Sequence, residues 1–212
     1  MQTYQKTFIE LALAHNVLCF GDFTLKSGRI SPYFFNAGRF KTGAAMAVLG
    51  KCYASALKAS AVEVDILFGP AYKGIPLVTA TGYAMSNEYG RDYPLCYNRK
   101  EAKNHGEGGV LVGAELKGKV AIIDDVITAG TAIREVMKII DKAGAELGAV
   151  LIGLDRKEKG QGKLSAVQEI EQKFTIPVIS IITLDHIIQY IEEKGDIMYK
   201  NAMYAYRDQY GI

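Results

Sequence analysis

The sequence predicts an α/β fold: a mainly parallel sheet flanked by helices, with a small hood of helix and strands at the N-terminus. Three observations lead there. Short runs such as 65–68, 120–123 and 149–154 are apolar almost throughout, as strands buried on both faces must be. Helical stretches separate them, which is the alternation of a sheet wound with crossover helices. Ahead of that pattern, residues 18–40 are rich in Phe and Tyr and broken by Ser27-Gly28-Arg29 and Ser31-Pro32, which reads as strand, turn and strand.

In order, Tyr4, Phe8, Leu11 and His15 fall at helical spacing, so 3–15 is an amphipathic helix. The Ala-rich stretch 42–60 is a second helix. Then come a strand at 65–68, a helix at 74–89, a strand at 94–97, a strand at 119–124, a helix at 131–143 and a strand at 149–154. A helix at 164–174, a strand at 178–183 and a helix at 184–194 follow. A polar terminal helix, 196–210, carries a stripe of Tyr199, Met203 and Tyr206. The Gly-rich stretch from Asn104 to Gly109 is the best candidate for a mobile loop. Right-handed crossovers place every strand-to-helix loop at one sheet edge, and ligands of such sheets bind there.

Bulk properties exclude several classes. The 212 residues suffice for one sizeable core, and 25 basic against 23 acidic residues leave a net charge of +2. That balance demands neither nucleic acid nor an anionic membrane as partner. Cys19, Cys52 and Cys96 are scattered, as are His15, His105 and His186, so a disulfide framework or zinc site is not expected. The N-terminus lacks the basic-then-apolar pattern of a signal peptide, and no run of about 18 apolar residues could span a bilayer. The expected compartment is the cytoplasm.

The most informative stretch runs from Val120 to Glu135. An apolar strand ends in adjacent carboxylates, Asp124 and Asp125, followed by a loop with Thr128, Gly130 and Thr131 and then a helix. Backbone N–H groups at that helix's start, with the two Thr hydroxyls, can wrap a phosphate. Two carboxylates can accept hydrogen bonds from vicinal hydroxyls or sit near a hydrated metal. A capped turn would need only one such residue. Gly113-Ala-Glu-Leu-Lys-Gly-Lys-Val120 fails as a nucleotide P-loop, because Val120 stands where Ser or Thr is needed and a strand follows it. Neither Gly106-Glu-Gly108 nor Gly160-Gln-Gly162 completes a dinucleotide fingerprint.

Ile122-Ile-Asp-Asp-Val-Ile-Thr-Ala-Gly-Thr131 resembles the signature by which type I phosphoribosyltransferases bind phosphoribosyl pyrophosphate (PRPP). Three further segments resemble the bacterial orotate-using branch of that family: Phe23 to Asn36, Phe68-Gly-Pro-Ala-Tyr-Lys-Gly-Ile-Pro76, and Asn98 to Gly109. With Leu154-Asp-Arg156 and Ser180-Ile-Ile-Thr183, the resemblance runs nearly the whole length. It implies one domain over 1–212, with a hood at about 1–40, a PRPP-binding core at about 60–185 and C-terminal helices at about 185–212.

The resemblance also implies site roles. Thr128, Ala129, Gly130, Thr131 and Ala132 would cradle the 5-phosphate, Val126 and Ile127 would also line the PRPP site, and Asp124 and Asp125 would hold the ribose hydroxyls. Tyr72 and Lys73 would meet the pyrophosphate. Arg99, Lys100, Lys103 and His105 would form a cationic lid, with Lys103 the main catalytic cation beside Asp124 and Asp125. Lys26 would touch both substrates; Phe34, Phe35, Thr128 and Arg156 would bind orotate, Arg156 through its carboxylate. Mg²⁺ would be held mainly by substrate and water, with no direct protein cage. The partners implied are PRPP, orotate and a second copy in a homodimer with shared sites. On residue type alone, Lys73, Arg156 and the lid cations are equally consistent with solvated charges, and the Phe pair with plain core.

Three other readings share the phosphate loop, of which a sugar-phosphate-binding or structural α/β protein explains that loop but not the other segments. A purine or uracil phosphoribosyltransferase has no use for Arg156, since those bases carry no carboxylate. A PRPP-sensing regulator would need a nucleic-acid-binding module, and no added basic recognition helix is present.

Overall fold

A computed structural model describes residues 1–25, 27–103, 109–127, 131–160 and 162–212, with backbone alone at 102, 103, 131 and 132. The chain opens with α1 (Thr3–Ala14) and an antiparallel hairpin, β1 (Leu18–Thr24) and β2 (Ile30–Phe35), which forms its own two-stranded sheet. After α2 (Gly43–Ser60) come β3 (Ile66–Gly69), α3 (Gly74–Tyr89), β4 (Leu95–Lys103) and β5 (Gly109–Gly113). The second half holds β6 (Lys119–Val126), α4 (Thr131–Lys142), β7 (Glu146–Asp155), α5 (Ala166–Phe174) and β8 (Val178–Thr183). Helices α6 (Leu184–Lys194) and α7 (Ile197–Tyr210) close the chain.

The main sheet has the order β5-β4-β3-β6-β7-β8, parallel except for β5 against β4. From β3 the chain winds outward to β4 in one direction. It then returns to β6 on the other side of β3 and winds outward to β7 and β8. Because crossovers keep one hand, the reversal sends the helices of the two halves to opposite faces. The packing agrees. Leu67, Ala121, Ile123 and Leu151 join α1, α2, α3 and α6 in one core. Their strand neighbours Phe68, Val120, Ile122 and Val150 face α4 and α5 in the other, as the two-residue period of a strand requires. Full burial of each such Ile, Leu or Phe is worth about 1.5–3 kcal/mol, so the carboxyl ends of β3 and β6 are held by a well-packed layer. The point where winding reverses opens a crevice between those ends.

Local chemistry sets the helix bounds. Thr42 accepts a hydrogen bond from the Ala45 amide at 3.2 Å and starts α2. Ser165 and Gln168 form a capping box that starts α5. Asp196 accepts from the Tyr199 amide at 3.2 Å and starts α7. Gly90 ends α3 in the left-handed region, at φ 62°.

The structure corrects the sequence reading at the lid. The apolar run of β4 ends at Tyr97, so the sequence predicts loop from there. The strand instead continues through Arg99 and Lys100 to Lys103, paired with β5 alone after its contact with β3 ends at Gly69 and Tyr97. Strand β5, absent from the expected elements, is five residues bounded by glycines, too short to show alternation. Of the predicted loop at 104–109, only Gly109 lies among the described residues, where it opens β5.

Candidate active site

The crevice between β3 and β6 gathers the first group of predicted residues. Lys73, at the start of α3, donates from Nζ to Oδ2 of Asp125 at 2.6 Å. Asp125 is buried and Lys73 half-exposed, so a solvent-reaching cation is paired with a buried carboxylate. Asp124 Oδ1 accepts from the Asp125 amide at 2.8 Å, and Asp125 Oδ1 from the Val126 amide at 3.0 Å. Burial, and then repulsion from Asp125, push the Asp124 carboxyl up to about 7. The Asp124 carbonyl accepts from the hydroxyl of fully buried Tyr53 at 2.9 Å, which fixes the strand end from below.

The segment after β3 lies close against β6. A Cβ on Gly74 would collide with Pro70 Cδ and come within 2.9 Å of the Ile123 carbonyl oxygen, so glycine is needed for that approach. The Ala71–Tyr72 peptide is cis. Asn98 of β4 accepts from the Ala71 amide at 2.9 Å and ties the segment to the neighbouring strand. Tyr72 is 67% exposed, and Lys100 places its Nζ 5.1 Å from the centre of that ring. The predicted pyrophosphate residues, Tyr72 and Lys73, and a predicted lid cation therefore share one edge.

Strand β7 pairs with β6 through Val126 and Leu154, so Arg156 emerges one position past β7 at the same sheet edge. Its side chain is 21% exposed and stacks over the Tyr33 ring at 4.4 Å. It pairs with Glu158, with a closest contact of 2.7 Å. Phe34 and Phe35 alternate along β2. Phe35 stacks on Phe8 at 6.2 Å, towards the core, while Phe34 meets Phe23 at 5.5 Å. A shared aromatic face for a base is thus not available from both side chains, because neighbours on a strand point oppositely.

Val126 ends β6, and Ile127 packs against the α4 side core. Arg99 lies on β4. Lys26, His105, Thr128, Ala129 and Gly130 lie outside the described residues, and Lys103, Thr131 and Ala132 are placed by backbone in β4 and α4. Asn98, Tyr53, Ser31, Tyr33, Glu158 and Tyr206 are not among the site residues that the sequence predicts. A surface groove between α1 and α2, lined by Tyr4, Val48, Cys52 and Tyr89, contains none of the predicted site residues.

This arrangement is that of a phosphoribosyltransferase. The phosphoribosyl transferase domain model matches residues 41–179, from just before α2 into the start of β8. Orotate phosphoribosyltransferase of Cellvibrio japonicus is 62% identical over 213 residues, covering 100% of this chain and 99% of the relative. That of Pseudomonas aeruginosa is 58% identical, covering 100% of both. The crystal structure of the Francisella tularensis orotate phosphoribosyltransferase superposes with a TM-score of 0.89 at 46% identity, over 97% of this chain and 99% of that one. The chain belongs to the orotate phosphoribosyltransferase family. The fold alone does not select the base: adenine phosphoribosyltransferase of Saccharomyces cerevisiae shares it at 15% identity, with a TM-score of 0.54 over 84% of this chain.

Proposed function

We propose that this chain transfers the 5-phosphoribosyl group of PRPP to orotate, giving orotidine 5′-monophosphate and pyrophosphate in pyrimidine (UMP) synthesis. The observation that carries the reading is the Lys73–Asp125 pair beside Asp124, with Arg156 on the next strand end. One sheet edge thus offers hydroxyl-binding carboxylates, a cation for a leaving group and a guanidinium for an acidic base.

In the reaction the C1–oxygen bond to pyrophosphate breaks and the electron pair leaves with pyrophosphate, while the orotate ring nitrogen bonds C1 from the other face and gives up its proton to water. Asp124 and Asp125 accept hydrogen bonds from the ribose 2- and 3-hydroxyls, and their charge favours the cationic sugar. Lys73 and the Tyr72 backbone meet the departing pyrophosphate. Residues 128–132 hold the 5-phosphate. Lys26, the β2 backbone at Phe34 and Phe35, Thr128 and Arg156 orient orotate. Arg99, Lys100, Lys103 and His105 close over the site and exclude water.

Among the described residues no group of three or more His, Cys, Asp or Glu side chains forms a metal cage. The two hard carboxylates at 124 and 125 suit Mg²⁺ bound chiefly through substrate and water oxygens. Bound in that way, Mg²⁺ supplies charge that offsets the pyrophosphate. We read residues 1–212 as one domain working as a cytoplasmic homodimer with shared sites. The β4–β5 hairpin runs past the sheet and could reach a partner, and no helix among the described residues is long and apolar enough to cross a membrane.

The test is competition among bases. Given PRPP, Mg²⁺ and an equal mixture of orotate, uracil, adenine and hypoxanthine, the protein is expected to consume orotate alone; consumption of another base in preference refutes the assignment. Arg156→Ala is expected to raise the orotate KM by roughly 10–100-fold, as loss of a charged hydrogen-bonded pair does, with the PRPP KM within about twofold. Equal loss of both contradicts the role. Because Asp124 holds a proton up to about pH 7, and a carboxylate accepts hydroxyl hydrogen bonds more strongly than its acid, PRPP affinity should fall as pH drops below about 7. The fall approaches tenfold per pH unit if binding releases one proton. Calorimetry in buffers of different ionisation enthalpy reads that proton directly; pH-independent binding between about pH 5.5 and 8 contradicts it.

A further inference from the structure

The Arg156 guanidinium is held before any ligand arrives. Its Nε and Nη2 both lie 2.7 Å from one oxygen, Oε1 of Glu158. Ser31 Oγ lies 3.4 Å and the Tyr206 hydroxyl 3.5 Å from Nη2, and the Tyr33 ring covers one face. Among the described residues nothing accepts a hydrogen bond from Nη1. A guanidinium fork has two edges that can take a carboxylate. Glu158 occupies the edge formed by Nε and Nη2; on the other edge Nη2 makes only a long contact to Ser31, and Nη1 is open to a second carboxylate.

Glu158 is itself held by more donors than a simple surface pair needs. The Tyr206 hydroxyl donates to Oε1 at 2.8 Å, and Arg29 Nη1 lies 3.4 Å from Oε2. Arg29 in turn stacks over Tyr210 at 4.9 Å and donates to the Lys159 carbonyl at 3.0 Å. The end of α7 is fastened to this segment by backbone bonds from Lys159 to Tyr210 and from Ile212 to Lys157. Two guanidiniums around one carboxylate leave the cluster with a net positive charge. Glu158 can therefore orient Arg156 without cancelling its attraction for an anionic base.

We infer that Glu158 is a positioning residue that aims Arg156 at the carboxylate of the acceptor base, and that Tyr206 of the terminal helix holds Glu158 in place. The inference rests on the reading of Arg156 above. It makes the last helix part of base recognition.

The test is steady-state kinetics of the full chain with PRPP, orotate and Mg²⁺, with thermal unfolding as a check on folding. Glu158→Ala is expected to raise the orotate KM by roughly tenfold, the loss of about one charge-assisted hydrogen bond, with the PRPP KM within about twofold. In an Arg156→Ala background the same change should add less than about twofold, because nothing remains to be aimed. A fall in the orotate KM, an equal rise in both KM values, or a full tenfold effect in the Arg156→Ala background overturns the inference. Should Glu158→Ala fail to fold, Tyr206→Phe keeps the ring and removes one donor. It is expected to raise only the orotate KM, by roughly threefold, and an unchanged value overturns the inference. If Arg156→Ala itself leaves the orotate KM unchanged, the underlying assignment of Arg156 falls as well; if it raises that KM while both other variants are silent, only the positioning role falls.

Discussion

Asp124→Asn is expected to stabilise the free protein above pH 7 while lowering turnover by roughly 10²–10³-fold, the size of effect seen when one electrostatic contact to a transition state is removed. The two effects share a cause. Burial and the neighbouring Asp125 raise the Asp124 carboxyl to about 7, whereas in the unfolded chain it titrates near the ordinary carboxylate value. Between those values the folded state binds the additional proton. Stability from this group is therefore full at low pH and lost as pH rises through about 7. Above that, holding the ionised form costs up to about 4 kcal/mol, since each tenfold change in proton affinity is worth about 1.36 kcal/mol. Asn keeps the oxygen that accepts from the Asp125 amide and never ionises. The variant should melt on the order of 5–10 °C higher at pH 8.5 and close to wild type at pH 4.5. A gain of the same size at both pH values, or wild-type turnover, contradicts the account. On the proposed role, the charge that costs the free protein stability is the one that binds the sugar.

Lys103→Ala is expected to lower kcat by roughly 10²–10³-fold with little change in melting temperature. Lys103 is paired with Gly109 at the far end of β4, six residues beyond the last contact with β3 at Tyr97. At about 3.3 Å per residue, the hairpin extends roughly 20 Å past the sheet. Lys103 lies past the stretch of β4 that pairs with the core strand β3, so truncation there should spare the fold. What it should remove is positive charge brought to the leaving pyrophosphate when the lid closes. Unfolding of the variant would show a structural role instead, and unaltered kcat would place the catalytic cation elsewhere, with Lys73 the first residue to examine.

How much of this is legible in the sequence depends on how local the cause is. Helix α3 spans Gly74–Tyr89 as read, and α2 starts one residue after its capping Thr42, because caps, glycines and helical periodicity act within a few residues. Asp124, Asp125 and Lys73 are legible as a group, since strand ends next to a winding reversal converge whatever the details of packing. The Arg156 cluster is not. Ser31 lies 125 positions and Tyr206 50 positions from Arg156, and no spacing rule brings β2, the end of β7 and α7 to one point. The terminal helix looks uninformative for the same reason: its Tyr199, Met203 and Tyr206 stripe is visible, but its partners are not. Strand β5 escapes because an edge strand of five residues carries no pattern long enough to read.

The most direct test follows orotate absorbance and released pyrophosphate together, with purified protein, PRPP and Mg²⁺, and with controls lacking PRPP or metal. A fall in orotate absorbance that requires both is expected, with one pyrophosphate released per orotate consumed. Pyrophosphate release without orotate loss, or no reaction while PRPP binds, would contradict it.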